Sequence, residues 1–102
     1  MDGFKKDRYE IKLMRRAYAV HIKRIRDARL NIRRCSREKY EMSITMVNRI
    51  HSAVEFLDGE ERFIIENEVL LGKEGKWFLA FFSSSKYYRC RRKAYRNFLR
   101  CL

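Results

Sequence analysis

Apolar residues recur every three or four positions along most of the chain, and the alternation that marks a strand is missing. Ile11, Met14, Tyr18, His21, Ile25, Ala28, Ile32 and Cys35 define one such seam, which predicts a helix of about thirty residues, some 45 Å long at 1.5 Å per residue. A break is expected near Cys35-Ser36, where Ser36 can cap a new helix; a single longer helix is the alternative. Tyr40, Ile44, Val47, Ile50, Val54 and Leu57 carry a second amphipathic helix that ends before Gly59. Asp58 and Glu61 form a D-x-x-E variant of the capping box, opening a third helix from Glu60 to Leu71 with Ile64, Ile65, Val69 and Leu70 or Leu71 inward. Gly72 stops it. Gly75 precedes a short helix, Lys76 to Phe82, whose Trp77, Phe78, Phe81 and Phe82 make i, i+4 aromatic pairs that read as core.

The final helix follows a run of three serines, with Ser83 as its N-cap. At 100° per residue, Tyr87, Cys90, Ala94, Phe98 and Cys101 share an arc of roughly 80°, and Ser85, Tyr88, Arg89, Arg92 and Arg96 gather on the other side. The first face suits a protein core and the second a polyanion. Lys86 lies in the first turn, where the helix dipole disfavours a cation, so a phosphate at that end would relieve both charges. The fold expected is all-α: a long N-terminal helix or helical pair packed on a C-terminal helix-turn-helix. Residues 1–35 are expected to form the basic N-terminal helix, and residues 36–102 a helical domain that would bind DNA through a helix-turn-helix at about 76–101.

Charge sharpens this picture. The 102 residues hold 25 Lys and Arg against 13 Asp and Glu, a formal charge of +12. Residues 1–34 carry twelve basic and four acidic side chains, residues 35–72 four and eight, and residues 73–102 nine and one. Basic ends flanking an acidic middle fit two phosphate-facing surfaces. No apolar run approaches the ~20 residues needed to span a bilayer, and the start MDGFKKDRYE is too charged for a signal peptide. A cytoplasmic protein without a membrane partner is expected.

Chemistry of other kinds finds little footing. Cys35, Cys90 and Cys101 are widely spaced, and neither His21 nor His51 has a second histidine nearby, so no metal and no cofactor are expected. The thiols read as reduced and partly buried. No Ser/His/Asp or Cys/His grouping, inward carboxylate pair or Gly-rich phosphate loop can be assembled, so an enzyme is not expected.

The C-terminal half resembles two known groups. Leu57, Glu61, Arg62, Ile64 and Ile65 follow the L-x-x-x-E-R-x-I-I logic of the C-terminal, region-4 DNA-binding part of bacterial sigma factors, continued by Gly72, Ser83 and Ala94. A closer similarity is to the ArpU-type phage transcriptional regulators and a related mycoplasma family. Their pattern W-[YF]-x-x-[YF]-F-S-x-S-x-Y-Y-R-x-R-x-x-A-Y-x-x-F-L is matched in order from Trp77 to Leu99. The resemblance covers roughly residues 47–102 and implies sequence-specific duplex-DNA binding and control of transcription; the first 46 residues carry no such motif.

On physical grounds Ser84, Ser85, Lys86, Tyr88 and Arg89, at the start of the expected recognition helix, are the candidates for base edges, with Arg89 foremost. Lys73, Lys76, Arg92, Lys93 and Arg96 are the candidates for phosphates, which set register without reading sequence. The partner expected first is duplex DNA. Two alternatives stand beside it: an RNA- or ribosome-associated role led by the basic first helix, and docking on RNA polymerase or another regulator through the acidic stretch Glu55 to Glu68. For the first helix, packing against the rest of the chain is expected ahead of homodimerisation, because His21 and Ala28 weaken the seam while Leu13, Ala17, Val20, Ile22 and Leu30 lie outside it.

Overall fold

The computed structural model describes residues 3–31 and 34–102. Among these the regular structure is helical, with no strand: α1 (Gly3–Arg29), α2 (Arg37–Glu55), α3 (Gly59–Ile65) running into a π-helical segment (Glu66–Leu70), a 3-10 turn (Trp77–Ala80) and α4 (Ser84–Cys101). The expected all-α architecture is therefore found, with several boundaries moved.

Helix α1 stops at Arg29, short of the expected Cys35, because Asn31 turns to φ 58°. Asparagine tolerates the left-handed region better than other side-chain-bearing residues, and its amide bonds back to the Ala28 carbonyl at 3.2 Å, which closes the helix end. The expected seam position at Ile32 lies outside the described residues, and Cys35 belongs to the connection rather than to the helix. Ser36 caps α2 as expected, its hydroxyl accepting from the Lys39 amide at 3.2 Å.

Helices α1 and α2 form an antiparallel pair. Tyr18 shares a hydrogen bond with His51 (2.8 Å), His21 with Ser43 (2.8 Å), and Arg29 reaches Tyr40 (3.3 Å). His51 thus sits at the edge of the core, and α1 packs on its own chain. Of the off-seam apolar residues, Ala17 and Ile22 are half-buried, whereas Leu13, Val20 and Leu30 are exposed and add nothing to the packed surface. Val47, Ile50 and Val54 face the core, joined by Ala53 and by Leu57 just past the helix.

The capping box expected at Asp58 is not made. Asp58 occupies the N-cap position without a side-chain cap bond, and the Glu61 carboxyl instead accepts from Asn97 Nδ2 of α4 at 2.6 Å. The tertiary bond competes with the local one and wins. The third helix also departs from the expected Glu60–Leu71. After Ile65 it widens into the π turn, with Leu71 N donating to Glu66 O at 3.0 Å and the Asn67 side chain donating to Phe63 O at 2.8 Å. This i→i+5 geometry lets Asn67, Glu68 and Val69 all turn inward, three consecutive buried residues that an α-helix would spread over most of its circumference. Leu70 is half-buried and Leu71 exposed. Gly72, at φ 66°, terminates the element as expected, and the following Lys73 amide bonds back to Asn67 O at 3.0 Å.

The helix expected over Lys76–Phe82 is a single 3-10 turn, Trp77–Ala80. Its aromatics are held by tertiary contact rather than by a helical ladder. Phe63 of α3 meets the rings of Trp77, Phe81 and Phe82 with centroids 5.9, 5.0 and 6.0 Å away, and Phe78 stacks on Tyr87 at 3.7 Å with the planes 1° apart. Phe78 is buried, Trp77 and Phe82 are half-buried, and Phe81 is exposed.

Candidate nucleic-acid interface

Ser83 caps α4 through its hydroxyl, which accepts from the Lys86 amide at 3.3 Å. The helix buries Tyr87, Ala94, Tyr95 and Phe98. Cys90 is only half-buried and Cys101 exposed, so the buried face is turned by about 40° from the expected one, at 100° per residue, toward Tyr95 and Arg91. The cause is the partner on that side: Phe4 of α1 stacks on Tyr95 with centroids 6.0 Å apart.

The rotation leaves the opposite side open. Ser84, Ser85, Lys86, Tyr88 and Arg89, the residues expected at base edges, are all exposed, as are Lys73, Lys76, Arg92, Lys93 and Arg96. Ser85, Arg89, Arg92 and Arg96 stay together as one outward stripe. Lys73 and Lys76 stand apart from it, on the loop before the 3-10 turn, with Lys73 Nζ 6.0 Å from the Trp77 ring. Helix α1 borders one flank of the stripe without covering it. The Arg92 guanidinium lies 4.6 Å from the Phe4 ring, and Arg96 Nε is 3.9 Å from an Asp7 carboxyl oxygen, with 59% of the Arg96 side chain still in solvent.

At the N-terminal end the charge expected to attract phosphate already has a protein partner. Lys86 Nζ bridges to Glu60 Oε1 at 2.7 Å. The hydrogen bond from Lys86 holds the Glu60 carboxyl below the usual carboxylate range and raises the lysine in return, with Cys90 Sγ also donating to Glu60 at 3.4 Å. Both side chains keep about half of their surface in solvent, so the pair is a weak surface bridge that an incoming phosphate can compete for.

A second polar cluster lies beneath the rotated face. Glu68, 3% exposed, accepts the hydroxyls of both Tyr87 and Tyr95 and the Trp77 indole Nε1–H at 3.2 Å. Burial, together with the neighbouring Glu68 carboxylate, pushes both tyrosine hydroxyls well above their ordinary range. Arg15 of α1 clamps the same segment from outside, donating from Nε to the Glu68 carbonyl at 2.9 Å and from Nη1 to Glu74 at 2.7 Å. Arg91 lies among four rings, with its guanidinium carbon 4.8 Å from Phe4, 4.9 Å from Tyr88, 5.6 Å from Tyr87 and 5.7 Å from Tyr95. Sequence reasoning missed this cluster, yet its signal was present. Arg15 follows Ile11, Glu68 follows Ile64 and Arg91 follows Tyr87 by four residues, so each charge sits in the register of a core position.

Among the described residues no three His, Cys, Asp or Glu side chains converge to hold a metal ion, and no helix is long and apolar enough to cross a membrane. No protein-family model, curated protein or solved structure matches the chain.

Proposed function

We propose that this protein binds duplex DNA through the exposed arginine side of α4 and regulates transcription by doing so, in the manner of the helix-turn-helix regulators its C-terminal half resembles. The observation that carries the reading is the division of α4 into an anchored face (Tyr87, Ala94, Tyr95, Phe98) and an open basic one. A helix fixed along one side and lined with arginine on the other has the width and charge that the major groove admits. In this reading Ser84, Ser85, Lys86, Tyr88 and Arg89 meet base edges, while Arg92, Lys93 and Arg96, with Lys73 and Lys76 at a distance, hold phosphates. The helix that braces α4 is then α3 with its π extension, since the 3-10 turn is too short for that task.

Docking on polymerase through the acidic middle is less well supported, because Glu60, Glu61 and Glu68 are engaged by Lys86, Asn97 and the two tyrosines. Selection of bound duplexes from a random pool tests the proposal. Enrichment of a defined sequence is expected, and Arg89→Ala should relax preference at one position by about 1–3 kcal/mol. Equal affinity for structured RNA and for every duplex would overturn it in favour of an RNA-binding role.

A further inference from the structure

Helix α1 presents Lys5, Arg8, Lys12 and Arg15 at spacings of three, four and three, one stripe of a helix. That stripe forms one wall of a cleft of about 500 Å³, closed on the other sides by Lys73 and Trp77 and backed by Arg91. Six basic side chains thus converge on one concavity. The two carboxyl groups that line it, Glu68 and Glu74, are taken up by the tyrosine and indole bonds and by the Arg15 bridge. At the back, Arg91 Nε is buried and, among the described residues, has no hydrogen-bond partner. Cations gathered this closely repel one another, and an orphaned buried guanidinium N–H is rare, unless an anion occupies the space they enclose.

We infer that this cleft between α1 and the segment after the π turn binds a small ligand carrying clustered phosphates. The volume lies within the range of small-molecule sites, and a multiply charged anion is the species that satisfies several guanidinium and ammonium groups at once. The cleft is concave and sits on the α1 side of α4, away from the outward stripe at Arg89 and Arg96, so the inference does not rest on the DNA reading.

Trp77 is the sole tryptophan of the chain and lines the cleft, which makes its fluorescence a local reporter. Titration of the full-length protein with inorganic tripolyphosphate should change that fluorescence saturably, at constant ionic strength. The double variant Arg8→Ala/Lys12→Ala should weaken binding at least ten-fold with an unchanged circular dichroism spectrum, and Lys12→Glu should do so more strongly. Arg89→Ala should leave tripolyphosphate binding as it is, which separates failure here from failure of the DNA proposal. ATP should bind within a few-fold of tripolyphosphate. Absence of a saturable change, or wild-type affinity in both the double variant and Lys12→Glu, would overturn the inference. So would binding of ATP without tripolyphosphate, or one-for-one displacement of tripolyphosphate by duplex DNA, which would assign the cleft to the nucleic-acid surface instead.

Discussion

Truncation of Glu68 to alanine is the sharpest probe of what holds α4 in place. The carboxyl group receives two phenol hydroxyls and one indole N–H from the 3-10 turn and α4. Glu68→Ala leaves Tyr87 and Tyr95, 3% and 4% exposed, with buried donors facing a void, whereas the half-buried Trp77 can recover water. Hydrogen bonds to a charged group contribute about 1.5–3 kcal/mol each. Two lost phenol bonds therefore set a floor near 3 kcal/mol, and the cost of breaking a buried charged network sets a ceiling near 5 kcal/mol. Against a typical domain stability of about 5–15 kcal/mol the loss is large. In urea, followed by far-ultraviolet circular dichroism, the midpoint should fall by on the order of 2 M for a slope of about 2 kcal/mol/M. Glu68→Gln keeps the volume and one acceptor oxygen and should lose roughly half as much. A cycle of Glu68→Ala with Tyr95→Phe should return a coupling of at least about 1 kcal/mol. A Glu68→Ala protein within about 1 kcal/mol of wild type would refute the idea that this network anchors the helix.

Glu60→Gln removes the carboxylate that competes with phosphate for Lys86, so affinity for a bound duplex should rise by roughly two- to five-fold, as expected for an exposed ion pair; unchanged affinity in an anisotropy titration would place Lys86 away from the DNA. Burial, reinforced by Arg24, lowers the His21 pKa, so the folded protein binds this proton less readily than the unfolded chain. The resulting stability is complete above the unfolded value of about 6.5 and is lost as pH falls through the lowered folded value. Urea midpoints should therefore decline below about pH 6.5 more steeply for wild type than for His21→Ala, and identical profiles would contradict this. Burial and the bond to Glu60 raise the Cys90 thiol, whereas Cys101 is exposed. Mass spectrometry after brief alkylation at neutral pH should find Cys101 modified well before Cys90, and the reverse order would argue against the observed rotation of α4.

The fold was legible wherever apolar spacing alone decides. The second seam, the caps at Ser36 and Ser83 and the stop at Gly72 all lie where local chemistry puts them. Reading failed where a tertiary bond outcompeted a local one. Glu61 left the capping box for Asn97, and the π turn was set by the inward demand of Glu68 rather than by any signal along the segment. Asn31, a legible end to the first helix, was overlooked because the apolar pattern runs on past it. The arginine side of α4 was readable because charge on a helix face needs no partner to be seen. The Arg15, Glu68 and Arg91 cluster left only a register signal, since charged residues at core spacing become informative once the groups that satisfy them are in view.

Nuclear magnetic resonance titration of the labelled full-length protein with a selected duplex tests the central claim most directly. Backbone signals from Ser84 to Arg96 should shift most, with side-chain signals of Arg89, Arg92 and Arg96 among the largest, and the α1 signals from Lys5 to Arg15 should move little. Shifts confined to α1, with those of α4 unmoved, would contradict the account.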